Sequence, residues 1–316
     1  MIVSEKEIPK IIAHLKSNGL AALPTETVYG LAGNALQEAS ILEIFRLKKR
    51  PKLDPLIVHL KNSSELGKYA KQPFPKKAIE LTETFWPGPL TIILPKTKLI
   101  PDLVTSGLPY CAFRIPKHPL FKKVLSQLDF PLAAPSANPF GYVSPTTAQH
   151  VKNQLNVKFI LDGGPCEFGL ESSIVAFLEN EKPKLLRYGS ISFENLLQTI
   201  PELVEETAST NEPIGPGQLS KHYATNKNIF LLDHWHDQKL KPSDALICFG
   251  RISLKGENIF NLSQRGDFEE AGKNLFGTLR TLDNDPKIKE IYAVRLPNRD
   301  FGKAINNRLE RAAASH

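Results

Sequence analysis

The feature that most constrains this chain is the brevity and recurrence of its apolar runs. Between Leu20 and Leu186 they come three to five residues at a time: Leu20–Leu23, Leu56–Leu60, Leu90–Leu94, Cys111–Ile115, Leu132–Ala134, Phe159–Leu161, Ile174–Phe177 and Lys184–Leu186. Such runs suit buried strands and are far too short to span a bilayer, which takes about 20 residues. Helical spacing fills only some of the gaps, at Ala39–Lys48, at Lys76–Phe85 and in a helix opened by Thr146 with Gln149. Ser4 with Glu7 has the spacing of a capping box and predicts an amphipathic helix that Gly19 stops. Strands that outnumber helices point to an α/β fold with one large, twisted, mixed sheet rather than strict strand–helix alternation.

A chain of 316 residues exceeds one ordinary core. The pattern changes after Ile200. Residues 201–226 mix acidic and small residues around Pro213-Ile214-Gly215-Pro216-Gly217, a linker signature. Beyond it, strands are expected at Ile229–Asp233, Ala245–Phe249 and Ile291–Leu296, with helices near Phe268–Leu282 and Phe301–Ala314. The expected division is 1–200, a linker or lid at 201–226, and a smaller α/β domain at 227–316.

Apolar residues at 41% and charged residues at 23% are the balance of a globular protein. Cys111, Cys166 and Cys248 have no CxxC spacing, which argues against a disulfide framework or a zinc site and fits a reducing cytoplasm. No apolar signal region opens the chain, and no membrane association is expected. The net charge of +7 suits a polyanionic substrate or nucleic acid, and equally suits simple solubility.

Neither a GxGxxG nor a GxxxxGK[ST] motif is present, so a phosphate site would have to be built from separate side chains. Lys48-Lys49-Arg50-Pro51-Lys52 is the densest cationic run; it could neutralise a triphosphate or merely complement a helix C-terminus. Polar groups also cluster after several strands. They are Pro24-Thr25-Glu26-Thr27-Val28-Tyr29-Gly30-Leu31, Pro135-Ser136-Ala137-Asn138-Pro139, Asp162-Gly163-Gly164-Pro165 and Glu171-Ser172-Ser173. Strand ends of this kind face ligands in α/β proteins, although turn chemistry alone would also place them there.

The order of these segments is specific. PTETVYGL, KxRP with PLIVH, WPGPLT, RIPxHP, APSANPFG, SPT and GLESSIV together resemble the YrdC-like domain across roughly residues 5–200. Gly215-Pro216-Gly217 with Lys221-His222-Tyr223-Ala224 is similar to the linker of the longer Sua5 branch of that family. The resemblance implies a YrdC-like mixed sheet with a second, smaller Rossmann-like α/β domain. It also implies an enzyme that converts L-threonine, bicarbonate and ATP, with Mg²⁺, to threonylcarbamoyl-adenylate and diphosphate. The product would pass to a tRNA threonylcarbamoyl transferase complex for modification of ANN-decoding tRNAs, with tRNA contact through a basic surface.

Residue by residue, the family's tetrad corresponds to Lys48, Arg50, Ser136 and Asn138. The resemblance assigns threonine to Thr27, His59, Arg114, Ala134 and the pair Ser172/Ser173. It assigns the nucleotide to Arg50, Ser136, Ser144 and Arg187, with Tyr223 from the linker. Two positions depart from the family pattern but are kept as nucleotide candidates: Asp54 stands where Asn is common, and Tyr110 where a small hydroxyl is usual. Asp54 would either help hold Mg²⁺ or weaken phosphate binding. The side chains of Lys48 and Arg50 are expected to be accessible to solvent. An RNA-binding protein without catalysis would not need Ser136 and Asn138 beside a threonine pocket. A hydrogenase-maturation carbamoyltransferase would carry zinc-type cysteine spacing, which is missing.

Overall fold

The computed structural model describes every residue except 209, 211, 212, 220, 221, 238, 255, 315 and 316, and the side chain of Asp237. Lys221 of the linker motif therefore lies outside the described residues. The strands of the first half are β1 Ile2–Val3, β2 Ala21–Leu23, β3 Gly30–Asn34, β4 Ile57–His59, β5 Leu90–Pro95, β6 Tyr110–Arg114, β7 Leu132–Ala133, β8 Phe159–Leu161, β9 Ser173–Ala176, β10 Lys184–Arg187 and β11 Val204–Glu205. They form one mixed sheet in the order β1-β8-β2-β3-β7-β4-β6-β5-β9-β10-β11. Parallel pairs such as β4/β6 alternate with antiparallel ones such as β4/β7 and β5/β6. The short apolar runs are strands because most are buried on both faces, as the β5 residues Leu90–Leu94 are.

Helices cover the sheet: α1 Ile8–Lys16, α2 Glu38–Lys48, α3 Leu66–Tyr69, α4 Lys76–Phe85, α5 Pro119–Leu125, α6 Ala148–Lys152 and α7 Phe193–Thr199. The capping box at Ser4 does not form. Residues Glu5–Glu7 make a 3₁₀ turn, Ser4 contributes only its carbonyl, which accepts from Glu7 N at 3.1 Å, and α1 starts at Ile8 with Pro9 in its first turn. Thr147, not Thr146, caps α6, its hydroxyl accepting from His150 N at 3.2 Å. Strand β3 escaped the hydrophobic reading because its sequence, Gly-Leu-Ala-Gly-Asn, has little apolar mass. Strand β11 lies within the segment expected to be linker and extends the sheet edge beside β10.

The C-terminal part contains β12 Ile229–Leu232, β13 Asp244–Cys248, β14 Ile259–Asn261, α8 Phe268–Asn284, β15 Glu290–Val294 and α9 Phe301–Ala313. Its four strands are all parallel, in the order β12-β15-β13-β14. Its core is not closed on itself. Val28, Val143 and Leu170 of the first half and Tyr223 of the linker pack with Leu275, Phe276 and Leu309.

Three arginines reinforce this joint. From α8, Arg280 donates to the carbonyls of Val143 and Ser144 and to Gln154 Oε1. From α9, Arg308 donates to Glu171, and Arg311 to the carbonyls of Gly217, Leu219 and Thr207. No helix among the described residues is long and apolar enough to cross a membrane.

Candidate active site

Strands β4, β6, β7 and β10 end against one cavity, and residues at or just beyond their ends supply its wall. His59 closes β4 and is in register with Arg114, which closes β6; Ala134 and Ser136 follow β7, and Arg187 closes β10. The turn between β2 and β3 adds Thr25 and Thr27, and the loop after α2 adds Arg50. The wall also includes Glu171, together with Pro216, Gly217 and His222 of the linker. The cavity together with its open mouth has an empty volume of about 550 Å³.

Each arginine on this wall is held by a second group. Arg114 donates from Nη2 to Glu26 Oε1 at 2.7 Å and from Nε to the Gly88 carbonyl at 3.3 Å. Burial opposes charge on Glu26, but Arg114 and the Lys117 amide hold its carboxyl below the usual range. Arg50 donates to the carbonyls of Asp54 and Pro55 and pairs with Asp54 Oδ2 at 2.9 Å. Arg187 donates to the Ser172 carbonyl and hydroxyl, both at 3.0 Å, and to the Pro216 carbonyl at 3.4 Å. Burial lowers Arg187 to about 10, so it stays protonated at neutral pH.

The two wall histidines are neutral. Burial, then Arg114, pushes His59 down to about 3. Burial does the same to His222, also to about 3, with the attraction of Glu171 too weak to offset it. Nδ1 of His222 is buried with no hydrogen-bond partner, a polar atom that a ligand would satisfy. The cavity thus combines fixed guanidinium groups, hydroxyls and neutral imidazoles, an arrangement suited to binding and orienting anions.

Of the residues singled out in the sequence, Thr27, His59, Arg114, Ala134, Arg50, Ser136 and Arg187 come together on this wall. Others lie behind it. Lys48 is 1% exposed and Arg50 8%, so neither is solvent-accessible as the sequence suggested; the exposed cations of that run are Lys49 and Lys52. Lys48 Nζ donates to the carbonyls of Ser136 and Asn138 and so ties α2 to the loop after β7. Asn138 donates to the Pro139 and Tyr142 carbonyls.

Ser144 donates to Glu171 at 2.7 Å, Ser172 exchanges a hydrogen bond with Thr91 at 2.7 Å, and Ser173 donates to the Ile191 carbonyl at 2.7 Å. None of these three serines lines the cavity. Tyr110 packs beside Ile93 and Ala112. Tyr223 is 1% exposed, stacked on Phe276 at 5.4 Å between ring centres, while its neighbour His222 takes the wall position. Glu26 and Glu171 are the groups that sequence reasoning passed over; each stood inside a quoted motif, but its arginine partner lies far along the chain.

A dedicated metal cage is not apparent. Among the described residues no group of three or more His, Cys, Asp or Glu side chains is placed to hold an ion. Asp54 Oδ2 lies 2.9 Å from Arg50 Nη2 while its Oδ1 is buried without a hydrogen-bond partner, and Glu171 is held by Arg308 and Ser144.

Residues 13–189 match the family model described as "Telomere recombination", and residues 191–314 match "Threonylcarbamoyl-AMP synthase, C-terminal domain". The chain is 34% identical to the threonylcarbamoyl-AMP synthase of Pyrococcus abyssi, covering 98% of this chain and 95% of that one. It is likewise 34% identical to the threonylcarbamoyl-AMP synthase of Bacillus subtilis, covering 98% and 94%. The crystal structure of P. abyssi Sua5 complexed with L-threonine superposes with a TM-score of 0.91 at 32% identity, covering 100% of this chain and 98% of that one.

Proposed function

The chain belongs to the Sua5/YrdC family, and we propose that it makes L-threonylcarbamoyladenylate and diphosphate from L-threonine, bicarbonate and ATP. The observation that carries this reading is the convergence of Arg50, Arg114 and Arg187 on a cavity that also presents Thr27, His59 and Ser136, in a chain that matches Sua5 over its whole length. The product would be the activated carbamate for N6-threonylcarbamoyladenosine formation, handed in the cytoplasm to a tRNA threonylcarbamoyl transferase complex. The basic excess of the chain would serve contact with tRNA.

In this reading Arg114, oriented by Glu26, grips the threonine carboxylate, because a guanidinium fixes direction as well as charge. Thr27 and His59 face its side chain, and Ala134 closes the pocket. Arg50, Arg187 and Ser136 meet the phosphates, and Lys48 keeps Ser136 and Asn138 in place through their carbonyls. Ser144, Ser172 and Asp54 support that wall from behind. The free amine of threonine first bonds to the carbon of bicarbonate, giving its proton to the hydroxyl that leaves as water. In the adenylation that follows, the carbamate oxygen attacks the α-phosphorus; a P–O bond forms as the bridging P–O bond to the β-phosphate breaks, and diphosphate leaves with the electron pair. The attacking oxygen is already anionic, so no general base is needed, and the work is positioning and charge neutralisation. Mg²⁺ carried by the triphosphate would supply further neutralisation of the leaving oxygens.

The test is diphosphate release from purified protein given ATP, bicarbonate and an amino acid. Threonine should be used far better than valine, with serine between, because a site that hydrogen-bonds a hydroxyl strongly rejects the isostere lacking it. No diphosphate with threonine would overturn the function. Equal turnover of threonine and valine would overturn the pocket.

A further inference from the structure

The proposed chemistry makes no use of one charged group on the cavity wall. Glu171 is 5% exposed and, among the described residues, is the carboxylate that lines the cavity beside Arg187 and His222. A bare carboxylate there would repel a triphosphate. Its counter-charge comes from the other half of the molecule. Arg308 of α9, 0% exposed, donates to Glu171 Oε2 from Nη2 at 3.0 Å and from Nε at 3.3 Å. The other carboxylate oxygen accepts from Ser144 Oγ at 2.7 Å. Burial alone would raise the Glu171 carboxyl, but Arg308, then Arg187, with the Ser144 hydrogen bond, hold it down to about 2, so it is ionised at neutral pH.

The charges around the cavity show what this pair decides. Arg50 pairs with Asp54 and Arg114 with Glu26, while Arg187 donates to Ser172 and the Pro216 carbonyl and lies near Glu171 without a direct contact among the described residues. With Glu171 taken up by Arg308, Arg187 is left as the wall cation available to a ligand anion, since burial pushes Lys48 toward its neutral form. Arg308 also lies 5.4 Å from the centre of the Tyr223 ring, so the same cation bears on the linker.

We propose that Arg308 is a positioning residue of the nucleotide site: by pairing with Glu171 it cancels the wall carboxylate, and it fixes the Ser144 hydroxyl. The C-terminal domain thereby sets the affinity for ATP. The proposal rests on the nucleotide reading given above.

The experiment compares the full chain with Arg308→Met, Arg308→Lys and the double variant Arg308→Met/Glu171→Gln, measuring diphosphate release against ATP and against threonine. Arg308→Met should raise the KM for ATP about tenfold or more, the scale of one lost charge-assisted contact, while the KM for threonine stays within about twofold. Arg308→Lys should fall between it and the wild type. The double variant should recover most of the ATP affinity, because no unpaired wall charge remains. A merely structural arginine would raise both KM values together; that result, or a double variant whose ATP KM stays raised, overturns the proposal. If Arg308→Met does not fold, the double variant decides alone: folded, with its ATP KM still raised about tenfold, it overturns the proposal. A wild-type protein that releases no diphosphate would defeat the nucleotide reading itself. An active wild type with unchanged variants would defeat only this inference.

Discussion

Arg114 and Glu26 form a pair in which binding and stability can be pulled apart. Both side chains are buried, 4% and 2% exposed, with Nη2 and Oε1 2.7 Å apart. Arg114→Met leaves Glu26 buried with only backbone amides, its own and that of Lys117 donating at 3.0 Å, to answer its charge. Removing one member of a buried pair costs about 3–5 kcal/mol, whereas replacing both with neutral groups of similar volume is often nearly neutral. The single variant should therefore lose about 3–5 kcal/mol, and Arg114→Met/Glu26→Gln should regain most of it. Threonine use should behave differently. A hydrogen bond to a charged group contributes about 1.5–3 kcal/mol, so both variants should need about ten- to a hundredfold more threonine. Urea unfolding midpoints report the first quantity, and diphosphate release against threonine concentration the second. If the double variant regains normal threonine use, Arg114 does not bind the carboxylate. If Arg114→Met is as stable as the wild type, the pair is not buried as described.

Lys48→Met removes the donor to two carbonyls, and each orphaned group costs about 1–3 kcal/mol. The rate should also fall on the order of a hundredfold as the loop bearing Ser136 loosens; a stable, fully active variant would rule out the tether. Acid should destabilise the protein early. His59 and His222 are held near 3 and His150 near 4, in each case mainly by burial, against an ordinary value of 6.5. A depressed histidine pKa adds stability that is complete above the unfolded value and lost as pH falls. Each contributes a slope of up to about 1.4 kcal/mol per pH unit below roughly 6.5. The melting temperature should therefore drop between pH 7 and 5, before most carboxylates titrate, and a flat profile there would contradict the burial of these rings. If the linker is a lid, ATP with threonine should protect residues 201–226 from limited proteolysis. Tyr223→Ala should cost about 3–5 kcal/mol, since it empties an aromatic site packed on Phe276. Unchanged cleavage with substrates present would reduce the segment to a spacer.

The sequence was most informative where the physics is local. Helix α4 spans Lys76–Phe85, the same residues that helical spacing marks out between Pro75 and Trp86-Pro87. Most strands followed from short apolar runs, because burial on both faces leaves a continuous hydrophobic signature. The local signals that failed were those with a close rival. Ser4 and Thr146 each had correct capping spacing, but a 3₁₀ turn and the adjacent Thr147 won instead.

What the sequence determined by itself was the set of strand-end loops that carry the polar groups, because hydroxyls, glycines and prolines there follow from turn geometry. Which of those groups would share one wall was decided only by the tertiary structure. Arg114 and Glu26 lie 88 residues apart, and Glu171 and Arg308 137 apart. A buried charge finds its counter-ion across space rather than along the chain, so neither pair leaves a spacing to read. The same holds for His222, which reaches the cavity, and Tyr223, which turns into the C-terminal core. The two rings stay in edge-to-face contact, 4.1 Å between centres, and it is the left-handed backbone at Tyr223, where φ is 65°, and the packing of Phe276 and Arg308 around its ring that put Tyr223 on the buried side and His222 on the cavity side.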